Sequence, residues 1–363
     1  MKEIVLFLIT ITIVSVISCR KQKNDPVNST SFKETSFTGT FTLSEGRMGV
    51  TGVSANGLVF FAGGKNDTAY STAVDMYNVA TGKWTTAQLS EAKEGIGAAA
   101  TGGVAAFAGG RLIGGFSAKV DLYDLNTKTW RSAQLSEARS YMAATASANA
   151  IYFAGGYCAC NTVASTAVDI YDPHADKWST AQLSEARVLF AAAATDGKVL
   201  FAGGLGANGM SATVDIYDER TKKWSTAQLS KPRALLVSAV SNGRIFFAGG
   251  NNNSADLNTV DIYNVKSNQW SVASLSQARA YLGATAIGNK VFFAGGLLNA
   301  YIASDVIDVY DTDTEKWSVL KLSKARGLLG AASAVNKAVF AGGTGTGIVE
   351  PFSKDADVFT LYH

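Results

Sequence analysis

Histidine is almost missing from this chain: 363 residues contain only His174 and His363. A three-histidine zinc centre cannot be built from two, and a histidine-based triad or general base has almost nothing to draw on. Proline is also scarce, at 4 residues against 36 glycines, which points to tight turns and away from a proline-rich linker array. Charged residues make up only 17% while hydrophobic ones reach 47%, a balance that excludes disorder and demands extensive burial. The formal charge of +3 is small and scattered, and no basic run exceeds Arg20-Lys21-Gln22-Lys23, so a nucleic-acid surface is not expected. Of three cysteines, Cys158 and Cys160 flank a single alanine and read as a local disulfide in an oxidising compartment; a two-cysteine metal site has no histidine nearby. The glycine pairs end apolar runs and do not open helices, so no phosphate-cradling loop is indicated. No cofactor or metal is called for.

The one long apolar stretch, Ile4 to Ile17, is interrupted only by Thr and Ser and preceded by Lys2. A spanning helix needs about 20 such residues, whereas a secretory signal needs fewer. The run ends in Val16-Ile17-Ser18-Cys19, which resembles the lipobox of bacterial lipoproteins. That resemblance implies a signal peptide at 1–18, lipidation of Cys19, a tether at 19–35 and a place in the bacterial cell envelope, with the outer membrane expected. Stable anchoring takes more than one acyl chain, as such lipidation supplies. The plainer alternative is an ordinary signal peptide with an incidental cysteine.

Beyond the tether a unit recurs seven times. Phe-Ala-Gly-Gly begins at residues 61, 107, 153, 201, 247, 293 and 340, at spacings of 46, 46, 48, 46, 46 and 47. An Asp-apolar-aromatic step follows each glycine pair, as in Asp215-Ile216-Tyr217, and six units place Trp seven residues later, at 84, 130, 178, 224, 270 and 317. An apolar strand closed by Gly-Gly, then a spaced Tyr and Trp, resembles the kelch repeat across residues 36–363. The resemblance implies an all-β fold, a seven-bladed kelch-type β-propeller with four-stranded antiparallel blades.

Each unit reads as four strands. In the fourth, strand a is Val188 to Thr195, b Lys198 to Ala202, c Ala212 to Tyr217 and d Lys223 to Ala227, with Asp196-Gly197 as the first turn. Strand a is rich in small residues, such as Ala191 to Ala194, as innermost strands converging on an axis require; large apolar residues are expected in b and d. The seventh unit lacks its Trp and ends at His363 before any strand d, while Thr38 to Arg47 align with Trp178 to Arg187. The N-terminal segment is therefore expected to supply the missing strand and close the ring, removing two exposed edges.

Strand direction puts the b–c loops and the d–a connections on one face and the a–b and c–d turns on the other. The turns are uniform and the b–c loops vary, which is where distinct contacts arise on a repeated scaffold. The same face carries a cation at the start of each unit: Arg47, Lys93, Arg139, Arg187, Arg233, Arg279 and Arg326. In some kelch proteins such arginines hold acidic partners. Matched strand-c carboxylates, such as Asp169 and Asp215, offer the competing reading of a repeated internal ion pair. Glu45, Glu91, Glu137 and Glu185 precede the cations of four units, whereas Lys231, Gln277 and Lys324 stand there in later ones, so that side is expected to be more positive. Tyr141 and Tyr281 follow their cations by two residues. Ligand-binding candidates are thus Arg139, Arg187, Arg233, Arg279, Arg326, Tyr141 and Tyr281, suited to an anionic or sugar-like ligand.

The leading expectation is a monomeric, lipid-anchored binding module that presents its b–c face to a protein or glycan at the envelope. The rival reading is a sugar-acting enzyme, such as a sialic-acid mutarotase, in which Arg and a carboxylate carry the proton transfer. Nothing in the residue inventory ties the chain to that reaction.

Overall fold

Strand c of the fourth unit, Thr213–Asp218, pairs antiparallel on one side with strand b, Lys198–Ala202, and on the other with strand d, Lys223–Gln228. Strand a, Ala191–Thr195, completes the sheet beside b. It starts three residues later than expected because Arg187–Val188 leave the sheet and pair with Leu205–Gly206 of the b–c loop. The a–b turn has positive φ at both Asp196 (50°) and Gly197 (76°), the backbone a two-residue hairpin of this twist requires. The computed structural model describes residues 31–159, 164–348 and 351–363. Among them are seven four-stranded antiparallel sheets with this strand order and no helix, consistent with a kelch-type β-propeller. The expected signal peptide, the lipidation site Cys19 and Cys160 lie outside the described residues.

Burial grades outward along each sheet. All five residues of Ala191–Thr195 are buried, as are Val199 to Ala202 in strand b. Strand d differs from expectation: in Lys223–Gln228 only Trp224 and Ala227 turn partly inward and the other four residues are exposed. Trp224 packs on Phe201 and Tyr217, with ring centroids 6.0 and 5.0 Å away. The large apolar residues therefore concentrate in b and c, and d contributes chiefly its Trp.

Each innermost strand touches that of the next unit, from Thr51–Ala55 through Gly97–Thr101 onward, and Gly330–Ala334 of the seventh touches Thr51–Ala55 of the first. Small residues permit this approach: a Cβ on Gly52 would stand 2.5 Å from the Ala331 carbonyl oxygen. The glycine pairs serve the same end, since a Cβ on Gly203 would lie 2.6 Å from the Arg233 oxygen.

The N-terminal strand, Glu34–Thr42, pairs with Asp355–Tyr362 and forms the outer strand of the seventh sheet. It begins two residues earlier than the expected boundary, and a bulge between Phe37 and Gly39 shifts the alignment by one. Phe37, opposite Phe359, holds the place that Trp224 holds opposite Tyr217. Upstream, Phe32 is 3% exposed. Its N–H donates to Asn289 Oδ1 at 2.7 Å, the Asn289 amide donates to its carbonyl at 3.3 Å, and its ring stacks on His363 at 4.5 Å. Asn289 belongs to an a–b turn, so the chain enters the fold on the face opposite the b–c loops.

Candidate functional site

The cation ring is buried. Arg47, Arg139, Arg187, Arg233 and Arg279 are 0% exposed, as is Lys93, and Arg326 is 1% exposed. Arg187 shows the common arrangement: Nη1 donates to the carbonyls of Gly203 (2.7 Å) and Thr213 (2.8 Å), and Nη2 meets the Asp215 carboxylate. The other oxygen of Asp215 accepts the Ser184 N–H at 3.0 Å, so one carboxylate fastens both ends of the connection between the third and fourth units. Arg139, Arg279 and Arg326 repeat the scheme with Asp169, Asp308 and Asp357. Arg233 turns its Nε to the Gly249 carbonyl (2.9 Å) and its Nη2 to Asp261 (2.8 Å); Lys93 reaches Asp121 at 3.0 Å. Burial pulls the Arg187 pKa down, and Asp215 followed by Glu185 pushes back.

This corrects the ligand-binding expectation for Arg139, Arg187, Arg233, Arg279 and Arg326. Their Nη groups bond carbonyls and carboxylates inside the sheets, and residues exposed by no more than 1% give an external anion no access. The glutamates preceding the cations are likewise engaged: Glu45, Glu91, Glu137 and Glu185 each accept from a serine hydroxyl of the b–c segment, Ser71, Ser117, Ser165 and Ser211. Gln277 does the same with Ser304 at 2.9 Å. Lys324 sits 71% exposed beside Asp355, at 3.0 Å.

Two residues beyond each cation the backbone turns left-handed in every unit: Gly49, Gly95, Tyr141, Leu189, Leu235, Tyr281 and Leu328 have φ between 52° and 63°. Non-glycine residues adopt this conformation at a cost of about 1–2 kcal/mol each. Backbone hydrogen bonds running from unit to unit offset it: Tyr141 N–H to Gly95 O at 2.8 Å, Leu235 to Leu189 at 2.9 Å, Leu328 to Tyr281 at 3.1 Å and Gly49 to Leu328 at 2.9 Å. The result is a collar that also joins the first unit to the seventh. Tyr141 and Tyr281, both expected as ligand-binding candidates, belong to this collar.

The collar is uneven. Glycine stands there in the first two units, and the Tyr141 ring covers Gly95 so closely that a Cβ there would lie 2.5 Å from it. Tyr141 meets Tyr157 of the third b–c loop edge-on, with centroids 6.0 Å apart. Tyr281, half-buried, has its phenol pushed up to about 12 by burial, then by the charges of Asp256 and Tyr157. The Tyr141 and Tyr157 rings therefore meet over the third unit, and Tyr281 stands three units further along the succession of inner strands.

The b–c loops stand around the collar, tied to the residues after the cations by short pairings such as Met48 with Lys65, Ala234 with Asn251 and Ala280 with Leu297. Some project as hairpins: Arg111–Leu112 with Gly115–Phe116, and Leu297–Leu298 with Ile302–Ala303. Their tips carry apolar side chains bare to solvent, with Ile113 88%, Tyr301 59% and Ile302 49% exposed. Sequence reasoning passed over these three; an isoleucine directly before Gly114-Gly115 in a hairpin was the available sign. It also passed over Glu94, buried at a place where other units carry Met48, Val188 or Ala234. Cys158 is disulfide-bonded, and the other two cysteines lie outside the described residues.

No curated protein matches the chain. The Kelch motif model matches residues 138–182, 232–274 and 278–321, which are the third, fifth and sixth units from the cation through strand d, and these matches support placing the chain with the kelch-repeat proteins.

Proposed function

We propose that the seven sheets are the blades of one closed propeller, lipid-anchored through Cys19 at a bacterial cell envelope, and that it acts as a non-enzymatic interaction module offering its b–c face to a protein partner. Kelch propellers commonly mediate protein interactions. Closure is supported by the unbroken succession of inner-strand contacts, the pairing of Glu34–Thr42 with Asp355–Tyr362, and the Gly49–Leu328 bond.

The observation that carries the functional reading is the exposure of Ile113, Tyr301 and Ile302 on loops that differ from unit to unit, around a collar bearing Tyr141 and Tyr281. Bare apolar tips ringed by polar residues are what a protein-binding face presents. A sugar epimerase would draw on Arg and carboxylate groups open to substrate, and here those groups neutralise one another inside the sheets. That favours binding over catalysis.

Site-specific photocrosslinking in living cells tests the reading. A benzoylphenylalanine at position 113 or 302 is expected to trap one discrete protein, and the same residue at Lys266, on the opposite face, is expected not to. Equal trapping from both faces, or none from 113 and 302, would remove the b–c face as the contact surface.

A further inference from the structure

The turn-bearing face carries a groove of about 220 Å³ between the fifth and sixth units. Its lining includes Ile262 and Trp270 of the fifth unit and Tyr310 of the sixth, with Asn264, Arg244 and Glu315 among the polar members. The sequence explains why it exists at this junction. In the fourth and sixth units, the lysine that opens strand b folds back onto an aspartate of its own sheet: Lys198 to Asp218 at 2.7 Å, Lys290 to Asp311 at 2.6 Å. In the fifth unit Asn264 stands where that aspartate would be, and Arg244 instead crosses the junction to Glu315 at 2.7 Å.

The second-to-third junction shows the opposite outcome. There Arg131, directly after Trp130, lies 5.7 Å from the Tyr171 ring centroid and bonds both the Tyr171 hydroxyl and Asp176, covering the corresponding space. The residue after Trp270 is Ser271, which also lines the groove but is too short to cover it.

We propose that this groove binds a single neutral sugar ring, independently of the b–c face. Ile262, Trp270 and Tyr310 give its lining an apolar and aromatic part, which suits the C–H face of a sugar. Planar amide, guanidinium and carboxylate groups at its edge supply both donors and acceptors for neighbouring hydroxyls. Arg244 and Glu315 cancel one another's charge, so a neutral ligand gains hydrogen bonds without bringing an uncompensated ion into the groove. The volume lies below the roughly 300–1,000 Å³ of drug-sized sites, which limits the occupant to one ring.

Saturation-transfer NMR on the full-length protein with glucose, galactose, mannose and N-acetylglucosamine tests the assignment. Transfer to the ring protons of at least one sugar is expected. Ser271→Arg, which copies the Arg131 arrangement, should weaken that binding by about tenfold or more, the scale of one or two lost hydrogen bonds, while the thermal midpoint holds. Tyr281→Ala, on the other face, should leave the transfer unchanged. The proposal is overturned by silence from all four sugars, by transfer that persists in Ser271→Arg, or by transfer lost only in Tyr281→Ala. A crosslinking failure on the b–c face would leave these outcomes unaffected.

Discussion

Arg187 and Lys93 occupy equivalent positions in two units and meet equivalent aspartates, yet they are not interchangeable. Lys93 makes one ion pair, to Asp121 at 3.0 Å. Arg187 adds two bonds to the carbonyls of Gly203 and Thr213, which its planar fork can span and an ammonium cannot. Removing the guanidinium would strand Asp215 in a site from which water is excluded. Arg187→Ala is therefore expected to lower the free energy of unfolding by about 3–5 kcal/mol. Arg187→Lys should retain the ion pair and lose only the carbonyl bonds, a loss of about 1–2 kcal/mol. Denaturant midpoints measure both, and an alanine variant as stable as the parent would show that the pair is not a staple. The pairing itself was readable from seven cations matched to strand-c aspartates. Its burial was not, because the depth of the d–a connection depends on Asp215 also holding the Ser184 N–H. That bond joins residues 31 positions apart and leaves no local mark.

At the scale of the element, the repeat placed nearly every strand, since Gly-Gly, Tyr and Trp recur at fixed offsets and turns such as Asp196-Gly197 punctuate them. The N-terminal strand was legible as the missing partner of the seventh unit, but its register was not. The bulge between Phe37 and Gly39 adds a residue that no other unit has, and Phe37 replaces the tryptophan that would have fixed the alignment. Phe32 gave no sign at all, because its partners are Asn289 and His363, far along the chain. It extends the hold of the strand past the sheet and into the core beside Ile287, Phe292 and Leu361. Phe32→Ala is expected to cost about 3 kcal/mol or more, as burial of a phenylalanine implies. Deleting residues 31–42 should lower the melting temperature by several degrees, because the seventh sheet loses its outer strand and exposes an edge. A deletion variant melting within about a degree of the parent would contradict the role given to this strand.

For the whole molecule, the point of entry decides what the proposed anchor would present. Glu34 pairs with Tyr362 at the turn-bearing end of the seventh sheet, and Phe32 is fixed there by Asn289. Residues 20–31 separate that point from Cys19, and twelve residues reach at most about 40 Å even when fully extended. A lipidated Cys19 would thus hold the turn face toward the bilayer and direct Ile113, Tyr301 and Ile302 away from it. The expected outcome is asymmetric quenching. A fluorophore at Lys266→Cys should be quenched strongly by a quencher carried on lipid headgroups, and one at Ile113→Cys weakly. Cys19→Ser should release the protein from the membrane fraction and abolish both signals. Retention of the Cys19→Ser variant in that fraction would refute the anchor, whereas stronger quenching at 113 than at 266 would keep the anchor and reverse the orientation. The second result would also bury the b–c face against lipid, where a protein partner could reach it only from within the membrane plane.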